Sequence, residues 1–245
     1  MKIKKILKVI LLIAVFISYL NYSSPALADA APSIIGAELI DAGGYIADNI
    51  ESLGTIKGSP EEKNIFAAGD DVVILLHHQS EVSVGDRLTI FRPPLFVTHP
   101  KTGKRVGMLF MPVGMIELKG VQGRDAVGRI IISYSYISPG DQIQPHRSVA
   151  PVTKIVQTDR DVSGYIVESQ EGKMLNAEYG IVYLDRGVSD GIIPGTIFYV
   201  IGEDHHDVIG ELRVISVQAT TSTAIVIKSA EPFSIGSKVG TATTK

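Results

Sequence analysis

The chain contains two copies of one domain, and this duplication constrains its fold more than any other feature. Displacing the sequence by 110 positions lays Gly54, Ile56, Ser59 and Glu61 on Gly164, Ile166, Ser169 and Glu171. Without a gap, Lys63, Ala67, Val72 and Gly85 then fall on Lys173, Ala177, Val182 and Gly195. After Phe91 the displacement changes to 96, and Gly114, Val121, Gln122, Ser133 and Gly140 coincide with Gly210, Val217, Gln218, Ser229 and Gly236. Apolar positions agree between the identities, as in Leu88/Phe198, Ile90/Val200, Ile131/Ile227 and Ile143/Val239. Register kept through two ungapped blocks marks a repeated structural unit. The copies span 54–145 and 164–240, with an arm at 29–53, a link at 146–163 and a tail at 241–245.

Both copies present the same order of short strands. A strand at 54–59 or 164–169 leads through a Glu- and Lys-bearing stretch to an apolar strand, Asp71-Val-Val-Ile-Leu-Leu or Gly180-Ile-Val-Tyr-Leu. A turn closed by Gly85 or Gly195 introduces the next strand, and then come Met115–Val121 or Glu211–Val217, alternating at strand period. A β-branched strand and a last short one after Gly140 or Gly236 complete about six strands per copy. The expected fold class is all-β, a tandem duplication of a small barrel or sandwich, since closure removes exposed strand edges. Helical spacing is confined to the arm, at Ile35/Leu39 and Ile46/Ile50/Leu53, and Gly43-Gly44 interrupts it. The arm is therefore expected to be loosely ordered around one short helix. In the link, Thr153–Gln157 could form one more strand.

The first 28 residues read as a secretory signal peptide. Lys2, Lys4, Lys5 and Lys8 precede an uncharged run, Val9–Leu20, and Ala26-Leu27-Ala28 makes a small-x-small site with cleavage after Ala28. The alternative is a retained anchor, for which twelve apolar residues fall short of the roughly 20 that span a bilayer. Removal takes four lysines and no acid, so the formal charge moves from −3 to −7 over the remaining 217 residues. The charge of −3 gives no sign of a nucleic-acid partner, and −7 disfavours adhesion to anionic lipid through bulk charge. With no cysteine in the chain, disulfides, lipid acylation of cysteine and thiol catalysis are excluded. Export to the periplasm is the expected location, with no membrane span in the mature chain.

The change of displacement locates an insertion. A drop from 110 to 96 means that the first copy carries 14 more residues than the second, all within Arg92–Val113. Pro100-Lys-Thr-Gly103 is a reverse turn, and apolar Leu95–Val97 and Met108–Met111 flank it, which predicts a hairpin projecting from the barrel. Arg92, His99, Lys101, Lys104 and Arg105 make it basic within an acidic chain, so these five are the candidate partner-binding residues. The alternative is a solvated hairpin whose apolar residues cover its own barrel.

Other candidates are weaker. His77-His78 are strand neighbours and face opposite sides, and His205-His206 sit in a polar turn without a zinc-protease motif. No G-x-S-x-G occurs, and Asp70-Asp71 and Glu61-Glu62 read as solvated turns. No catalytic residue, cofactor or metal site is expected.

The first copy also carries Gly54-Thr-Ile-Lys-Gly-Ser-Pro-Glu61, Val72-Val-Ile, Val84-Gly-Asp86, His99-Pro-Lys-Thr-Gly103, Gly114-Met-Ile-Glu-Leu and Ile137-Ser-Pro-Gly-Asp141. In this it resembles β-rich domains of exported bacterial proteins that often carry a peptidoglycan-binding lysin motif elsewhere. The second copy has Gly187-Val-Ser-Asp190-Gly-Ile-Ile-Pro-Gly195 and Ile209-Gly-Glu-Leu-Arg-Val. It resembles the C-terminal domain of flagellar assembly protein T. The resemblance implies a non-enzymatic envelope protein that contacts an envelope protein or peptidoglycan, within an envelope or flagellar assembly. Val82-Ser-Val-Gly-Asp-Arg-Leu88 fits a lysin motif superficially, but Thr89-Ile-Phe-Arg-Pro93-Pro94 follows where that motif needs a helix. Glycan binding is therefore not carried over by motif. The alternative function is an envelope hydrolase acting on cell-wall glycans.

Overall fold

The computed structural model describes residues 35–241, apart from 62, 79–81, 148–149, 159, 171–178 and 203–206. The signal segment with Ala28, the His205-His206 pair and Glu171, Lys173 and Ala177 lie outside the described residues. The arm supplies helix α1 (Ala37–Gly43) and strand β1 (Tyr45–Ala47). The first copy forms β2 (Gly54–Gly58), β3 (Asp71–Leu76), β4 (Arg87–Phe91), β5 (Leu95–Thr98), β6 (Arg105–Phe110), β7 (Pro112–Gln122), β8 (Asp125–Ser133) and β9 (Gln142–Pro145). The second forms β10 (Ser163–Ser169), β11 (Ile181–Leu184), β12 (Ile197–Ile201), β13 (Val208–Val217), β14 (Ser222–Ser229) and β15 (Lys238–Gly240).

Two closed six-stranded barrels result, ordered β2-β3-β8-β7-β4-β9 and β10-β11-β14-β13-β12-β15. The same two displacements that align the sequence also align the hydrogen-bonding partners. Ile56 pairs with Ile74 and Ile166 with Leu184; Ile90 pairs with Gly114 and Val200 with Gly210. Four register irregularities recur at equivalent places, including those at Ile56/Gly58 and Ile166/Glu168 and at Leu118/Gly120 and Val214/Ser216. Bulges bend and twist strands, so a small barrel that reuses its bulges reuses its curvature. Each barrel is filled by its inward-facing side chains, with Ile74, Leu88 and Ile116 central to one core and Leu184, Phe198 and Leu212 to the other.

The outer faces of the two barrels differ. On the first, Arg129 donates two hydrogen bonds of 2.8 Å to Asp71, and Glu117 lies between Lys119 and Arg87. On the second, the equivalent cross-strand pair is Ile181 with Ile225, and Ile215 and Val167 stand where the first copy has Lys119 and Lys57. All four are buried. Their cover is a three-stranded sheet, β1-β6-β5, built from the arm and the inserted hairpin. Ile46, Val97 and Leu109 of this sheet join Ile35, Ile40 and Val152 against that face, making a third core.

This placement corrects the expectation of a projecting hairpin; the alternative that it covers its own barrel holds at its base, where Phe110 packs on Phe91 with ring centres 4.5 Å apart, while Val97 and Leu109 cover the second barrel. An apolar sheet face has to be covered, and the face that needs cover belongs to the second copy. The arm likewise does more than carry a short helix. At Gly44, with φ of +63°, the chain turns from α1 into β1; a Cβ there would lie 2.2 Å from the Phe110 carbonyl oxygen. Free carbonyls of the arm are satisfied by hydroxyls of the second barrel: Tyr183 donates to Gly43 O (2.8 Å), Thr223 to Gly44 O (2.8 Å) and Thr221 to Ile46 O (2.9 Å). Thr153–Gln157 forms no strand; Val152 and Val156 make single bridges to Ile35 and Thr196. No helix among the described residues is long and apolar enough to cross a membrane.

One turn recurs in both barrels. Its third residue is glycine at φ near 95°, and its fourth is Asp, Thr or Ser, whose side chain accepts from the first residue's N–H. Ala67–Asp70 follows the same pattern with Gly69 at φ of +97°, but the equivalent of Gly69 in the second copy is Tyr179 at φ of +69°. A left-handed non-glycine residue costs about 1–2 kcal/mol, partly offset by the chain entropy that glycine loses on folding. Tyr179→Gly is therefore expected to stabilise the protein by about 0.5–1 kcal/mol in denaturant titrations. At Ser138–Asp141 the accepting carboxylate is buried, and that burial holds the Asp141 pKa above its ordinary value against the pull of the Ser138 N–H and Arg92. For an acid, a raised folded pKa means stability lost as pH rises through that value. Asp141→Asn keeps an acceptor for Ser138 N–H, so melting curves should show this loss removed and no destabilisation at neutral pH.

Candidate functional site

The five basic and imidazole candidates separate into two groups. Arg92 and His99 are used internally. Arg92 donates to the Tyr136 carbonyl (2.7 Å) and lies 3.8 Å over the Tyr136 ring. The His99 Nδ1 accepts from the N–H groups of Lys101 and Thr102 (3.1 and 3.3 Å), which assigns the proton to Nε2. That nitrogen donates to Asp185 of the second barrel at 3.1 Å, and the His99 ring meets Tyr165 edge-on at 5.5 Å. Asp185 also accepts from Tyr165 N (2.7 Å) and Arg186 Nη1 (2.9 Å). The hairpin tip is thus bolted to the second barrel through a side chain that the sequence reading assigned to a partner.

Lys101, Lys104 and Arg105 are exposed. The Lys101 ammonium lies 5.9 Å from the centre of the Tyr165 ring, a distant contact, and the Arg105 guanidinium sits 4.4 Å over Phe96. Phe96 and its neighbour Leu95 are 68% and 63% exposed, among the most exposed large apolar side chains described. The outer edge of the hairpin therefore combines three cations with two apolar side chains on a rigid support.

A second feature was not legible in the sequence. The arm, the first barrel and the end of β13 enclose a cleft of about 660 Å³. Asp41, Tyr45, Tyr134, Gln144, His146 and Gln218 line it, all partly buried. Tyr45 is stacked on buried Phe110 with ring centres 4.7 Å apart, which fixes its ring at the wall. Burial raises the Asp41 carboxyl above its ordinary pKa, against the opposing pull of His146; burial first, and then the charges of Asp41 and Glu38, raise the Tyr134 hydroxyl. His146 Nδ1 lies 3.1 Å from Thr89 Oγ1. Four of the six lining groups, Asp41, Tyr134, His146 and Gln218, lie outside the strands, and only tertiary packing brings them together.

The remaining candidates have structural partners. His77 contacts the Ser52 carbonyl through Nδ1 at 2.9 Å, Asp70 closes its turn and pairs with Lys63, and Asp71 pairs with Arg129. No group of three metal-ligating side chains lies together among the described residues. Comparison with protein-family models and with curated proteins gives no match.

The joint between hairpin and second barrel is testable. In the second copy only six residues separate β12 from β13, against twenty between β4 and β7. Replacing Arg92–Met111 by that six-residue loop should leave the first barrel intact and uncover Ile181, Ile215 and Ile225. Calorimetry should then resolve two transitions in place of one, and binding of a hydrophobic dye should rise.

Proposed function

We propose that this chain is an exported, non-catalytic cell-envelope protein that works by contact with an envelope protein or with peptidoglycan, within an envelope or flagellar assembly. The observation that carries this reading is the outer edge of the inserted hairpin. Lys101, Lys104 and Arg105 are exposed there beside Leu95 and Phe96, in a mature chain of net charge −7. Apolar and cationic groups on one rigid edge suit an acidic partner, with charge guiding encounter and the apolar residues adding desolvation. The third core supports a scaffolding role, because it packs the hairpin sheet against the second barrel. One observation favours a glycan hydrolase instead: the Asp41 carboxyl, kept protonated to higher pH in a cleft, has the character of a general acid. Such an enzyme also needs a second carboxylate held as base or nucleophile; Glu51, the other carboxylate lining the cleft, is exposed, and the non-catalytic reading needs none.

Charge reversal at Lys101, Lys104 and Arg105 tests the reading, because these side chains lie outside all three cores. The variant should keep the wild-type melting temperature, and in-cell crosslinking should no longer yield the captured envelope partner. With purified components, wild-type binding should weaken as salt rises. Unchanged capture by the variant would overturn the assignment of the hairpin.

A further inference from the structure

We propose that the cleft between the arm and the two barrels is a saccharide-binding site. It is a separate surface from the basic edge of the hairpin, so the two assignments stand or fall independently. Its volume of about 660 Å³ lies within the ~300–1,000 Å³ typical of ligand clefts. The chemistry of its lining narrows the ligand. Gln144 and Gln218 each offer an amide that both donates and accepts, Asp41 offers a carboxylate, and Tyr134 offers a hydroxyl. None of these four side chains has a hydrogen-bonding partner among the described residues. Tyr45, held by its stack on Phe110, adds a fixed aromatic wall. Mixed donors and acceptors beside an aromatic face match a ring that carries several hydroxyls on one side and C–H groups on the other.

Other ligand classes fit less well. A peptide binding by strand addition needs a free strand edge. Both barrels are closed, β1 is paired with β6 on one side, and on the other its carbonyl at Ile46 accepts from Thr221. An apolar ligand would leave the carboxylate and amides without partners. A phosphate group would meet Asp41 and Glu51, which line the same cleft as His146 and Arg147.

The experiment titrates the exported chain with the N-acetylglucosamine tetramer and, separately, with the glucose tetramer, following NMR shifts and calorimetry. Saturable binding of either is expected, with shifts centred on Tyr45, Tyr134 and Gln144. Gln144→Ala and Gln218→Ala, at partly buried positions without side-chain hydrogen-bonding partners among the described residues, should each weaken it by about tenfold, the equivalent of 1.4 kcal/mol. Tyr45→Ala should weaken it more, and its melting temperature shows whether the arm stays seated. Charge reversal at Lys101, Lys104 and Arg105 should leave it unchanged. No binding of either tetramer at millimolar concentration would overturn the proposal, as would binding indifferent to the glutamine variants, or a peptide that displaces the sugar. Chromatography of the recovered tetramer separates this proposal from the functional reading: intact sugar supports both, whereas cleaved sugar supports the site and overturns the non-catalytic reading.

Discussion

The outer face of the second barrel is apolar, and most of the architecture follows from covering it. A free barrel of this size buries its inward side chains and leaves its outward ones in water, as the first copy does with Asp71, Arg129 and Lys119. In the second copy β11 is buried on both faces, with Ile181 and Tyr183 outside and Val182 and Leu184 inside. Leaving Ile181, Ile215 and Ile225 in water would forfeit about 1.5–3 kcal/mol each. The arm and the hairpin supply the cover. Each is too small to hold its own shape, and each acquires it from the surface it covers.

The cover also has to satisfy its own backbone. Strand β1 has a partner on one side only, and the open side faces protein. Thr221 donates to β1 at Ile46, and Tyr183 and Thr223 donate to Gly43 and Gly44 just before it, at positions where the first copy carries Asp125, Val73 and Val127. Burial has a consequence for one of them: the Tyr183 phenol is raised far above its ordinary pKa, chiefly by desolvation. It remains a neutral donor to Gly43 throughout the physiological range. Apolar contact and hydrogen bonding therefore act at the same seam.

The barrels were legible because barrel strands declare themselves locally. Alternation, glycine turns and two constant displacements gave the class, the strand number and the place of the insertion. The destination of the insertion was harder to see. Apolar residues at Leu95–Val97 and Met108–Met111 announce burial but do not name a partner. A signal was nonetheless present in the comparison of the copies. Asp71 against Ile181, Arg129 against Ile225 and Lys119 against Ile215 replace charge by isoleucine at outward positions of aligned strands. Read that way, the second copy advertises a covered face. The cleft offered no such signal, since Asp41, Tyr134 and Gln218 lie far apart in the chain and meet only after the third core has formed.

The third core also sets an order of events. Its parts come from the arm before the first barrel, from an insertion within that barrel, and from strands β10 to β14 near the end of the chain. The first barrel can close while later residues are still being synthesised, because its strands all lie between 54 and 145. The arm and the hairpin cannot settle until the second barrel exists. Until then Ile40, Ile46 and Leu109 have no surface to meet, and such waiting segments are where a chain is open to aggregation or to a chaperone. A protein joined in this way closes its first barrel early, while the arm that precedes that barrel waits for strands near the far end of the chain before it can settle.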